Sequence, residues 1–297
     1  MLLDKNIPFT YIFNKIKNEL LIVTAISLAT YFLTQKYLHI IPELPITIAA
    51  FIGTAISVLL SFKLSQSYDR WWEARKIWGA IVNDSRTFVM QLQTFLSSGN
   101  DEHIRRIAFR HIAWLYSLGQ SLRGQNPTDN IGTLLSNDDM LALAGHNNKP
   151  LAILHLNAQH LSKLNDAEQL HLLSLIQINN TMVNFSNQMG MCERIKSTVF
   201  PATYRKFLHW MIYLFTITLS IALRGIESYF ELPMLLAISG AFFLLERSAT
   251  HLQDPFSNLP TDTAVTTITR NIEINIKQLL NEKEIPQPVL PHKFYAL

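Results

Sequence analysis

The sequence predicts an all-α membrane protein: four transmembrane helices plus a large helical cytosolic region. Three observations carry that reading. The 297 residues are 48% apolar and 16% charged, with a mean hydropathy of +0.15, too apolar for an ordinary soluble chain and too polar for one wholly in lipid. Apolar runs occur in two pairs, 20–38 with 46–62 and 207–223 with 232–245, separated by a long stretch with no spanning run. No strand-like alternation competes with helical spacing anywhere.

The first residues, MLLDKNIPF, are broken by Asp4, Lys5 and Pro8 and do not read as a cleaved signal peptide. Lys5, Lys15 and Lys17 precede the first run, 20–38, whose Thr24, Ser27, Thr30 and Thr34 suit hydroxyl bonding within a membrane helix. A short connection, 36–45, makes the next span antiparallel. That span, 46–62 (ITIAAFIGTAISVLLSF), is uncharged and continues without proline to Leu96. Some fifty helical residues reach roughly 75 Å, against the ~30 Å of a bilayer's hydrocarbon core, so one rod begins in lipid and ends in water. Lys63, Arg70, Arg75 and Lys76 follow the apolar part, and basic residues on both stems place them in the cytoplasm.

Residues 101–124 (DEHIRRIAFRHIAWLYSLGQSLRG) carry Ile104, Ile107, Ala108, Ile112, Leu115 and Leu118 at helical spacing, with acids at the start and Gly124 past the end. Residues 125–150 read as loop around one short helix, with Asp138 and Asp139 as capping residues; 166–196 read as a second long helix. In the second apolar pair, 232–245 contains Pro233 and is short, but pairing it with 207–223 keeps both termini on the cytoplasmic side. Residues 271–280 read as an amphipathic helix and 285–297, with three prolines, as extended. The domains implied are 1–65 (N-terminal segment and transmembrane helices 1 and 2), 66–204 (cytosolic helices), 205–248 (transmembrane helices 3 and 4) and 249–297 (cytosolic tail).

Several function classes find no support. The net charge of +3 is small and scattered, which argues against nucleic acid. The phosphate-loop, nucleophile-elbow, zinc-protease and dinucleotide signatures are missing, so no enzyme and no cofactor is expected. The single cysteine, Cys192, excludes an intrachain disulfide and reads as a buried residue. His103, His111, His155, His160 and His171 lack metal-pair spacing and read as surface or packing histidines. On residues 68–78 (YDRWWEARKIW), Trp71, Arg75 and Trp78 share one helix face and Trp72 points about 100° away. Bare physics makes this an interfacial aromatic anchor with local pairs among Asp69, Arg70 and Glu73.

The run SQSYDRWWEARKIWGAIVNDSR, 65–86, resembles the corresponding region of the bestrophin family, above all its bacterial members. ERIKSTVFPATY (193–204) and QDPFSNLPTD (253–262) stand in the family's order and spacing, and the likeness covers nearly the whole chain. The resemblance implies a homopentameric ion channel of the cell inner membrane, multi-pass with both termini cytoplasmic, its partners being its own copies, the bilayer and permeant monovalent ions. It makes Tyr68, Asp69, Arg70, Trp71, Trp72, Glu73 and Arg75 the family's structural motif. Matched to the family's neck, Thr54, Val58 and Phe62 line the pore; Leu172, with Leu173 as alternative, matches the cytosolic aperture. As bare sequence these leucines read as core.

Eukaryotic members follow DPF with acids that clasp Ca²⁺. Here Asp262 alone of those carboxylates remains, so that site is not expected. Bacterial members favour monovalent cations such as Na⁺ and K⁺, and that pattern is the expectation; a chloride channel is the alternative. A membrane-anchored scaffold with the proline-rich tail as docking strand is the reading from another class.

Overall fold

The computed structural model of the chain describes residues 1, 7–37, 44–96, 99–199, 201–223 and 228–296. The remainder holds Leu38, most of the connection expected at 36–45, Phe200 and Leu297, so those expectations lie outside the described residues. Among the described residues the regular structure is helical throughout, apart from an isolated bridge between His292 and Tyr295. The helices are α1 (Phe9–Lys36), α2 (Ile46–Phe95), α3 (Asp101–Leu122), α4 (Asn137–Ala144), α5 (Lys149–Asp166), α6 (Leu172–Ser197), α7 (Ala202–Ala222), α8 (Ser228–Gln253) and α9 (Val265–Leu279).

Two compact units share them. One comprises Asp4–Trp71 and Val199–Gln253, the other Met1–Leu3, Trp72–Thr198 and Asp254–Leu297; α2 contributes to both.

The first unit packs α1, the start of α2, α7 and α8 around Val23, Ile56, Leu60, Leu208, Ile212, Leu235 and Phe243. Small residues let its helices close up. A Cβ on Gly53 would sit 3.1 Å from the Phe215 ring, and one on Gly240 3.2 Å from Leu20. Polar side chains tie helix to helix: Thr216 to Ser239 at 2.9 Å and Ser220 to Glu231 at 2.8 Å, as apolar surroundings favour. Phe9, Leu21, Phe32, Phe207, Trp210 and Phe230 remain exposed, an apolar surface too extensive for water and suited to lipid. Among the described residues three helices, α1, α2 and α8, are long and apolar enough to cross a membrane. The sequence expects four spans, and α7 falls outside that set because Arg205, Lys206 and His209 dilute its apolar stretch. Pro233 lies in the opening turns of α8 and does not end it.

The second unit builds its core on α3, with Ile107, Ile112, Trp114 and Leu115 fully buried beside Phe88, Leu92 and Phe185. The helix starts at Asp101 as expected and stops where Gly124 adopts a positive φ of 68°, a conformation glycine takes without strain. Gly119 lets α9 approach: its Cβ would meet Val265 at 2.7 Å. Ser136 and Asp139 form a reciprocal capping box on α4, while Asp139 also binds Arg110 at 2.6 Å. Burial opposes its ionised form, but the Arg110 bonds outweigh that and hold its pKa down to about 2.

The long helix expected over 166–196 begins later, at Leu172, because the chain turns at Glu168, with φ 58°. Gln169 N–H returns to Leu164 O, Asn165 Nδ2 holds Leu170 O at 2.8 Å, and His171 caps α6. A left-handed closing residue of this kind ends a helix as glycine commonly does. The amphipathic helix expected from 271 begins earlier, at Val265. Cys192 is buried, and burial pushes its thiol up to about 12, which leaves it unreactive.

His111 is fully buried. Ser85 Oγ donates to Ile81 O at 2.6 Å and so accepts from His111 Nε2–H, 2.9 Å away. Burial depresses its pKa to about 3, and that of His160 falls to about 4, through burial first and then Arg110. The unfolded chain takes up these protons below about 6.5 and the folded chain refuses them, so stability is full above that pH and falls as pH drops. Each histidine contributes a slope of up to about 1.4 kcal/mol per pH unit. Urea unfolding of the full chain, read from Trp fluorescence between pH 7 and 4.5, is expected to show this loss. His111→Phe is expected to remove roughly half of it.

Candidate functional site

On α2 of the first unit, residues are sorted by face. Ala49, Ile56, Leu60, Lys63 and Ser67 are buried; Phe51, Thr54, Val58 and Phe62 are exposed. The second set recurs every three or four residues and forms one stripe. Val58 is 50% and Phe62 64% exposed. Thr54 Oγ1 donates to Ala50 O at 2.9 Å and Ser57 Oγ to Gly53 O at 2.8 Å. The outward side of Thr54 therefore presents lone pairs, and that of Phe62 an aromatic ring. The stripe carries no acid, base or nucleophile.

Behind the stripe lies a polar cluster that the sequence reading treated only as flanking charge. Lys63 is 1% exposed and Glu246, on α8, 0%. Lys63 Nζ donates to Glu246 Oε1 at 2.6 Å and to Thr250 Oγ1 at 2.8 Å, and Thr250 donates to the same carboxylate oxygen at 2.9 Å. His209 Nε2 lies 3.0 Å from Glu246 Oε2. One turn below, Ser67 Oγ bonds Lys63 O at 2.7 Å and Arg70 Nε donates to Gln253 O at 2.8 Å. Arg247 of α8 in turn pairs with Glu19 of α1. Each charge was visible as the first after an apolar run, but their pairing spans 183 residues.

The aromatic motif divides. Within the first unit, Tyr68 and Trp71 rings lie 5.9 Å apart. Within the second, Trp78 and Ala74 are wholly buried, Trp72 is exposed, and Glu73 pairs with Lys76 at 2.7 Å. Arg75 is partly buried. Leu172, also in the second unit, is the first residue of α6 and 57% exposed; Leu173 is exposed too. The bare-sequence reading of these leucines as core is thereby corrected: the turn at Glu168 starts α6 at this point and leaves both leucines facing outward.

The 253–262 loop does not fit a calcium ion, which requires six to eight oxygens, several charged. Asp254 is taken up by Lys196 at 2.8 Å, Ser257 at 2.6 Å and Phe256 N–H at 3.1 Å. Asp262 is fully buried, accepts from Leu259 N–H at 3.1 Å, and burial pushes its pKa up to about 6. Among the described residues no three His, Cys, Asp or Glu side chains form a metal-binding group.

A family model described as bacterial/fungal bestrophin protein matches residues 9–278. The chain is 30% identical to the voltage-dependent anion channel-forming protein YneE of Escherichia coli K12, over 96% of this chain and 93% of that protein. It is 26% identical to a voltage-dependent anion channel-forming protein of Ralstonia nicotianae, over 90% and 88% respectively. The crystal structure of a bacterial bestrophin homologue from Klebsiella pneumoniae superposes with a TM-score of 0.84 at 28% identity, over 91% of this chain and 100% of that one.

Removing one member of a buried ion pair strands the other charge, at a cost of about 3–5 kcal/mol, whereas apolar replacement of both is often neutral. Lys63→Met is therefore expected to lower the thermal midpoint of the detergent-solubilised protein sharply. Adding Glu246→Leu is expected to return it close to wild type.

Proposed function

Because the chain belongs to the bacterial and fungal bestrophin family, we propose that it is an ion channel: a homopentamer in the bacterial inner membrane, conducting through an axial pore. Bestrophin-type proteins are channels rather than enzymes, and the fold here is of that type. The observation that carries the reading is the exposed stripe of α2, large and apolar at Val58 and Phe62, in register with the positions matched to the family's neck. Assembly of five copies turns it into rings of Thr54, Val58 and Phe62, the neck, with Leu172 as a second ring at a cytosolic aperture. The exposed apolar side chains of α1, α7 and α8 then meet lipid, and α7 serves as a fourth span beside α1, α2 and α8. Lys and Arg near the inner ends place both termini in the cytoplasm. Residues 1–65 and 205–248 form the membrane part, 66–204 and 249–297 the cytosolic part.

The permeant ion is an anion such as chloride. The names of the relatives from Escherichia coli and Ralstonia support that choice over the cations suggested by the bacterial bestrophin pattern. Phe62 rings supply the matching physics, since aromatic edges carry partial positive charge. A cation pore is the second reading, favoured by Thr54, whose hydroxyl hydrogen is held by Ala50 O and whose lone pairs face outward.

Planar-bilayer recording in asymmetric NaCl tests both. The expected reversal potential lies on the chloride side of zero, and a value on the sodium side selects the cation reading. Val58→Ala and Phe62→Ala are expected to raise unitary conductance severalfold by widening the apolar rings. Unchanged conductance in both would sink the neck assignment.

A further inference from the structure

The stripe that faces the proposed pore is defined by what holds the opposite side of α2. At about 100° per residue, Lys63 lies about 180° around the helix from Thr54, about 140° from Val58 and about 100° from Phe62. It therefore stands at the back of the neck, and it is the charged residue next in sequence to Phe62. Its neighbours on the buried face, Ile56 and Leu60, are apolar contacts, which are non-directional and tolerate small rotations at little cost. An ammonium–carboxylate bond at 2.6 Å, sealed from water and braced by Thr250, does not. Turning α2 far enough to move Phe62 off the axis would pull Lys63 from Glu246 and leave two buried charges unpaired, which surroundings of low polarity penalise heavily.

We infer that the Lys63–Glu246 ion pair is a positioning element of the conduction path: it pins the back of α2 to α8 and so holds the rotation that turns Val58 and Phe62 toward the pore. The inference rests on the neck reading above. Lys63 makes no contact with the permeant ion; its side chain is buried on the far face and neutralised by its partner. Its influence on conduction passes through the orientation of Phe62. Arg70, about two turns further along the same face and bonded to Gln253 O at 2.8 Å, reinforces the same register. His209 also faces Glu246, Arg205 and Arg247 act on Lys63 and His251 on Glu246 from further away, and Glu19 of α1 pairs separately with Arg247 of α8.

The test uses the full chain reconstituted in planar bilayers and keeps stability separate from positioning. Lys63→Met/Glu246→Leu removes both charges while retaining the fold, and Lys63→Glu/Glu246→Lys restores a pair of reversed polarity. Two quantities are read: the chloride-to-sodium permeability ratio, and the rate at which a water-soluble thiol reagent modifies Phe62→Cys introduced into each background carrying Cys192→Ser. The apolar pair is expected to change both by about twofold or more, the smallest effect that coupled neighbours ordinarily show. The reversed pair is expected to restore both to the wild-type values. An apolar pair that is folded and oligomeric, with permeability ratio and modification rate unchanged, overturns the inference. A reversed pair that shifts the permeability ratio to the opposite side of wild type also overturns it, because the charge would then act by its field and not by holding the helix. Failure of the neck reading looks different: Val58→Ala and Phe62→Ala would leave conduction unaltered in the wild-type background.

Discussion

A lysine and a glutamate placed out of reach of water cannot be separated cheaply, and the first unit is arranged around that constraint. Lys63 and Glu246 are the places where α2 and α8 each change from charge-free sequence to charged sequence. Their bond at 2.6 Å sets the two helices level with one another and fixes which face of α2 is turned inward. Packing then follows the choice. Ile56 and Leu60 fill the core, Gly53 admits Phe215, and Tyr204 donates to Leu59 O at 2.8 Å. What is left outside is the stripe of Phe51, Thr54, Val58 and Phe62. The proposed neck is thus the face left over once the opposite face has been specified.

The second unit solves a different problem with aqueous means. Its core is a broad helical cluster around Trp78, Phe88, Trp114 and Phe185. Its polar groups are matched in fixed geometry: Arg110 with Asp139, Tyr116 with Glu273 at 2.6 Å, and Gln188 with Asp84. Burial of His111 and His160 makes this unit sensitive to acid, because both must stay neutral, whereas the first unit has a charge pair that must stay charged. The 253–262 loop belongs to this economy. Asp254 and Asp262 are consumed in holding the loop's own backbone and Lys196, which is why it does not suit a divalent ion.

Much of this architecture is legible in the residues. The fifty-residue course of α2 follows from an apolar run that continues without proline into charged, aromatic sequence, and α3 is bracketed by Asp101 and Gly124. The family likeness is carried by a compact motif, and the periodicity of Thr54, Val58 and Phe62 is plain to the eye. The break between α5 and α6 is not, because Glu168 takes a left-handed conformation without glycine or proline to announce it. The ion pair is hidden for another reason. A charge at the end of an apolar run ordinarily marks the membrane surface, and only the fold brings Lys63 and Glu246 together across most of the chain. For the same reason the leucines at the start of α6 look like core until the turn before them is known.

The central claim is that the exposed stripe of α2 becomes the wall of an axial passage. A cryo-electron microscopy reconstruction of the purified protein in lipid nanodiscs addresses it directly. The account predicts five chains around one axis, with Val58 and Phe62 projecting into a narrow central passage and Lys63 behind them against Glu246. A reconstruction in which Val58 and Phe62 face lipid, or are buried between chains with no central passage, would contradict it.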